Sequence, residues 1–133
     1  MIDSLFQFLV DEANKPFSGW DFSYIEGTSR VVTAPLTWSY TSIILPKIRQ
    51  SVALLDMGTG GGEFLSLLQP LPAYTCATEG YAPNIPMARE RLEPLGVQVH
   101  PVTDDDTLPF PDSTFDLVIN KHESYSPSEV WRI

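Results

Sequence analysis

The sequence predicts an α/β fold, a Rossmann-like parallel sheet with flanking helices, and three observations carry that prediction. From residue 52 onward, short apolar runs alternate with stretches of helical periodicity. The runs are continuous in apolar character, as strands covered on both faces require. The first of them, VALLD (52–56), ends in an acid and opens onto Gly58, Gly60, Gly61 and Gly62, half of the 8 glycines in the chain. Strands joined through helices need right-handed crossovers, which set them parallel.

Two regions follow from the punctuation: an amino-terminal helical and aromatic segment over 1–50, and the Rossmann-like domain over 51–133. Residues 1–13 read as a short amphipathic helix, with Asp3 or Ser4 as cap and Leu5, Phe6, Leu9 and Val10 at helical spacing. Residues 14–36 carry Pro16, Gly19, Gly27 and Pro35 among Phe17, Trp20, Phe22 and Tyr24, the composition of an irregular segment. A second helix is expected over 37–50, with Trp38, Ile44, Leu45 and Ile48 apolar and Pro46 kinking it or starting a new turn. Then come VALLD as strand, 62–69 as a short helix, AYTCATE (73–79) as strand and 84–95 as helix. VQVHPV (97–102) and FDLVIN (115–120) complete the strands. SPSE (126–129) reads as a capping box with Pro127 at the first helical position, so a last helix is expected to begin there.

Composition narrows the function. The chain has 133 residues, hydrophobic 43% and charged 19%, within the globular range. Its net charge of -9 is the wrong sign for holding a polyanion through its phosphates, so nucleic acid is not expected as a partner. No apolar run approaches the roughly 20 residues of a membrane span. The first residues have neither a basic leader nor a small-residue cleavage site. Cys76 is alone, so neither an internal disulfide nor a structural zinc site is expected, and no metal site is read. The expected compartment is the cytoplasm.

The glycine turn sits where ligands bind in parallel sheets, outside the carboxyl end of a strand. Glycine tolerates positive φ there and lets a ligand approach the backbone. The phosphate-cradling loop needs a lysine and a hydroxyl residue after its last glycine, and here Glu63 and Phe64 follow Gly62. Read as a dinucleotide fingerprint from Gly58 and Gly60, the turn puts Glu63 where the third glycine belongs, and its charge would repel a pyrophosphate. A ligand with a cationic centre and no phosphate fits better.

DMGTGGG (56–62) resembles motif I of the class I S-adenosylmethionine-dependent methyltransferases, commonly D/E-x-G-x-G-x-G, through Asp56, Gly58, Gly60 and Gly62. Thr59 lies inside the same turn. Glu79 closes the second strand 17 residues past Gly62, where the resemblance implies the acid that binds both ribose hydroxyls. An acid there also serves ribose in dinucleotide enzymes, so Glu79 leaves a nicotinamide cofactor open as an alternative. DDDTLPF (104–110) and the following FD resemble the family's D-A-x-x-L-P-F segment and fourth strand. The resemblance implies that Asp104 accepts from the adenine amino group and that the amide of Asp105, which replaces the usual alanine, meets a ring nitrogen. Gly80, with Tyr81, would let the ribose and adenine edge pass. Asn120 is implied at the methionine end of the cofactor. The implied protein is a methyltransferase using S-adenosylmethionine on a small molecule or protein, with a non-catalytic cofactor-binding or assembly module as the alternative.

His122 and Glu123 follow the strand expected beside the first, and are the candidate base for stripping a proton from an attacking oxygen or nitrogen. Methyl transfer asks mainly for alignment and exclusion of water, so no triad is needed. Trp20, Phe22, Tyr24 and Trp38 are candidates to cover a sulfonium with aromatic faces. The resemblance accounts for about four of the family's seven strands. The expectation is therefore an incomplete class I fold, truncated at the carboxyl end, with an exposed edge on the fourth strand through which copies of the chain would self-associate.

Overall fold

A computed structural model describes residues 3–16, 22–104 and 107–133. Four parallel strands, β1 (Ala53–Met57), β2 (Tyr74–Glu79), β3 (Gln98–Pro101) and β4 (Leu117–Asn120), form one sheet in the order β3-β2-β1-β4. All three pairings are parallel, with Leu55 opposite Cys76 on one side and Val118 on the other. The order reverses at β1, so the switch point lies between β1 and β4, immediately beyond Met57. As expected, β4 forms an edge of this sheet.

Period-two alternation sends β1 side chains to two cores. Leu54 faces the larger one with Ala77, Val99 and Ile119, covered by Ile44 and Ile48 of α3 (Tyr40–Ile48) and by Ala88 and Leu92 of α5 (Asn84–Leu92). Leu55, Met57 and Cys76 face the other, closed by Leu108, Phe110 and Ile133. The strand is thus buried along its whole length, which explains its unbroken apolar run. Hydrogen bonds fix where it begins: the Asp116 carboxylate, just ahead of β4, accepts from the amides of Val52 and Ala53 at 3.0–3.2 Å. Those amides hold the Asp116 carboxyl below its usual range.

Several sequence expectations change. The first helix, α1 (Ser4–Ala13), is present and capped by Asp3, whose side chain accepts from the Leu5 amide at 3.0 Å, but it buries no residue. Leu5, Phe6 and Leu9 stay exposed, because among the described residues no element packs enough surface against them. Among its described residues the aromatic segment contains one helical turn, α2 (Ser23–Glu26). The capping box over 126–129 does not form. Ser126 is the N-cap of α6 (Pro127–Arg132) without a side-chain cap bond, and Glu129 is instead held by the Leu108 amide at 2.9 Å and by Arg132 at 2.7 Å. Those two partners hold the Glu129 carboxyl down at about 2, Arg132 contributing most. α3 begins three residues later than expected, at a Ser39 cap that leaves Trp38 outside it and exposed, and it continues through Pro46. The helix after the glycine turn, α4 (Glu63–Ser66), is one turn long. The 84–95 helix finishes as a 3-10 turn over Glu93–Leu95, ended by Gly96 at φ +81°.

Candidate functional site

The glycine turn leaves β1 with Gly58 at φ +64°, Gly60 at φ 65° and Gly62 at φ +79°. Side-chain-bearing residues adopt such conformations only at a cost. Steric crowding adds a further reason. A Cβ on Gly62 would stand 2.6 Å from the Leu92 side chain, so this glycine lets the turn sit directly on α5. A Cβ on Gly58 would meet the Glu123 side chain, and one on Gly61 the Glu63 carboxylate.

Glu79 holds the turn from behind. Buried at the end of β2, it accepts from the Gly60 amide at 2.6 Å with one carboxylate oxygen and from the Tyr81 amide at 2.7 Å with the other. A carboxylate has about four acceptor positions, so two remain after these bonds. Arg91 of α5 also reaches the turn, donating to the Gly61 carbonyl and pairing with Glu63 at 3.0 Å. That ion pair changes the electrostatics read from sequence: the Glu63 charge is substantially offset, which weakens the repulsion argument against a pyrophosphate.

In front of the turn lies a cavity of about 480 Å³. Asp56, Gly58, Thr59 and His122 line it, so four of the expected site residues meet there. Asp56 is buried, and desolvation, reinforced by the nearby Glu79 charge, raises its carboxyl to about 7 despite the moderating neighbour Thr59. The Thr59 hydroxyl lies beside that carboxyl without hydrogen-bond geometry, and its oxygen is buried with no hydrogen-bond partner. Lys121 sits on the rim with its ammonium 4.8 Å from the centroid of Phe64, a cation–π arrangement.

The remaining expected residues stand elsewhere. Asn120 ends β4 opposite Met57, but its side chain closes a local turn, accepting from the Glu123 amide at 3.0 Å and donating to its carbonyl at 2.9 Å. Its own carbonyl accepts from the Tyr40 hydroxyl at 3.1 Å. Glu123 lies over Gly58 and lines a second cavity of about 690 Å³ along β4, which His122 also borders. Gly80 and Asp104 are exposed beyond the carboxyl ends of β2 and β3 and do not line the cavity before the turn. Asp105, Phe17 and Trp20 lie outside the described residues. Of the proposed aromatic cover, Phe22 lines the cavity, whereas Tyr24 is engaged with Lys15, Arg30 and Glu12. Sequence reading missed Glu26, Thr33 and Phe64 as cavity walls and Arg91 as a support of the turn. None carries a local motif; each reaches the site through tertiary packing.

A parallel sheet whose first strand ends in a supported glycine turn over a cavity defines the Rossmann-like class of α/β ligand-binding domains. Within that class, the family described as "Methyltransferase domain" matches residues 55–126, and the chain belongs to it, among the class I S-adenosylmethionine-dependent methyltransferases. The chain is 30% identical over 111 residues to the protein-L-isoaspartate O-methyltransferase of Chlorobaculum tepidum, a match covering 83% of this chain and 52% of that protein. It therefore spans about half the length of that relative. In fold it is similar to a SAM-dependent methyltransferase from Aquifex aeolicus, with a TM-score of 0.57 and 21% identity over 94% of this chain and 65% of the other. It is also similar to Haemonchus contortus phosphoethanolamine N-methyltransferase 1, solved with phosphoethanolamine and S-adenosylhomocysteine, at a TM-score of 0.50 and 19% identity, covering 89% of this chain and 24% of the other. No helix among the described residues is long and apolar enough to cross a membrane.

Proposed function

We propose that this chain is the cofactor-binding part of an S-adenosylmethionine-dependent methyltransferase acting on a small molecule or protein. The observation that carries the reading is the glycine turn itself, braced by Glu79 and opening onto a cavity that holds the unpartnered Thr59 hydroxyl. An S-adenosylmethionine would find there a backbone without Cβ atoms and a hydroxyl lacking a partner, with two unused acceptor positions on Glu79 behind the turn. When bound, that cofactor supplies an already activated methyl group on a sulfonium.

What the protein adds is alignment and exclusion of water. Asp56, Gly58, Thr59, Gly60 and Gly62 hold the centre of the ligand, and Glu79 the ribose hydroxyls, with Gly80 giving clearance. Asp104 and Asp105 take the adenine end. Asn120 shapes the methionine end through the turn it closes with Glu123. His122, on the rim shared by both cavities, and Glu123 are the candidate proton acceptors for the incoming nucleophile. The domain over 51–133 does the binding, while Phe22, Glu26 and Thr33 of the 1–50 segment wall the cavity and α3 packs on the sheet. We place the protein in the cytoplasm, a reading supported by its single, buried cysteine.

Isothermal titration with S-adenosylhomocysteine and with NAD tests the reading. Micromolar binding of the first, lost in Glu79→Ala, is expected; selective binding of NAD overturns it. Binding without transfer of a labelled methyl group, either to an isoaspartyl peptide or to a cell extract, would favour the non-catalytic module.

A further inference from the structure

The segment 108–110 lies in no strand, yet Leu108 and Phe110 are buried. Its backbone therefore needs partners that no sheet ladder supplies. One side-chain pair on α6 supplies them. Glu129 accepts from the Leu108 amide at 2.9 Å, and Arg132 donates to the Leu108 carbonyl at 3.1 Å and to the Phe110 carbonyl at 2.7 Å. The two side chains are locked to each other, Arg132 Nε donating to one Glu129 oxygen at 2.8 Å and a terminal nitrogen to the other at 2.7 Å, a bidentate pairing. Apolar packing of Val130 and Ile133 already seats α6 on the sheet, so the distinct contribution of the pair falls on the segment it grips. A second anchor lies upstream, where the Val102 amide donates to the Glu79 carbonyl at 3.1 Å. Asp104 stands two residues past that anchor and four before Leu108.

We infer that Glu129 and Arg132 are positioning residues for the adenine end of the cofactor: by gripping both backbone groups of Leu108, they fix the downstream anchor of the stretch that carries Asp104. Neither side chain meets the ligand. They act through Asp104, whose carboxylate can accept from an adenine amino group only while its backbone is tied at both ends, to Glu79 and to α6. The inference rests on the S-adenosylmethionine reading above. It makes α6, which lines no part of the cavity before the glycine turn, a determinant of base recognition.

The test compares S-adenosylhomocysteine with its inosine counterpart, in which a carbonyl oxygen replaces the adenine amino group, by calorimetry on the full chain well below its melting temperature. The unsubstituted chain is expected to prefer the adenosyl ligand about tenfold, the scale of one charge-assisted hydrogen bond. Arg132→Met should bring that preference to within about twofold, with little change in affinity for the inosyl ligand. Arg132→Lys, which keeps the charge without the planar fork, should lose most of the preference. Glu129→Gln, which keeps an acceptor for the Leu108 amide, should lose less. If Arg132→Met fails to fold by circular dichroism, these two conservative variants carry the comparison. A purely structural role would weaken both ligands equally and leave the preference intact; that result, or an unchanged preference in folded variants, overturns the inference while cofactor binding stands. If the unsubstituted chain binds neither ligand, the cofactor reading fails with it.

Discussion

β1 and α1 are built from similarly apolar sequence, ALLDM and SLFQFLVDEA, yet they end in opposite states. Leu54 is 0% exposed and Leu9 is 54% exposed. Apolar content alone therefore does not decide burial. β1 lies between two strands and under two cores, so each of its side chains has a partner whichever way it points. α1 offers its apolar side chains to no such partner among the described residues, and is held at its carboxyl end by polar contacts. Glu12 is bonded to Arg30 at 2.6 Å, to Lys15 and to Tyr24, which together bring its carboxyl to about 2.

The comparison can be broken by substitution. Leu54→Ala should cost about 3–4 kcal/mol in urea unfolding, whereas Leu9→Ala should stay within about 0.5 kcal/mol. Equal losses would mean that α1 is covered in solution.

Asp56 gives the next largest effect, and its sign is opposite. Its carboxyl stands at about 7 in the folded chain against an ordinary 3.8. Ionising it in place therefore costs on the order of 4 kcal/mol at pH 8. Its contribution to stability should rise as pH falls from 8 through 7 and level off near 4, where the unfolded chain also binds the proton. Asp56→Asn should raise the melting temperature at pH 8 by the equivalent of about 2–3 kcal/mol and flatten that slope. Glu129, held low by Arg132, opposes the trend only below about pH 4.5.

Two glycines sharpen the contrast at smaller scale. Gly62 combines a φ of +79° with the close Leu92 side chain. Gly62→Ala should therefore cost about 2 kcal/mol. Gly96 stands at φ +81° with open space around it. Gly96→Ala should cost only about 1 kcal/mol, read from the same thermal melts.

What was legible in the sequence is what neighbouring residues decide. The four strands and the positive-φ turn follow from apolar runs and glycine spacing, and the edge position of β4 from the family resemblance. The Asp3 cap is local as well. The rest depends on residues far apart in the chain. Glu129 resembles a capping acid until the Leu108 amide, 21 residues earlier, claims it. Glu79 reads as an acid waiting for ribose hydroxyls, but it also holds the Gly60 amide 19 residues before it. Arg91 looks like any surface helix base until α5 packs against the turn. Glu26 gives no signal because its neighbours in sequence are not its neighbours at the cavity.

The strand register has a kinetic side. Leu55 and its partner Cys76 are 21 positions apart, whereas Leu54 and Leu117 are 63 apart. Docking β4 thus closes a loop three times longer and about 1 kcal/mol dearer in chain entropy. The three strands β1 to β3 are expected to pair first and β4 to arrive after the rate-limiting step. Ile119→Val should then accelerate unfolding and leave the refolding rate nearly unchanged, while Ala77→Gly slows refolding; the reverse pattern in stopped-flow traces would place β4 in the nucleus. The strand that borders the larger cavity, and leads into Lys121 and His122 on the rim of the other, would thus be the last to lock and the first to let go.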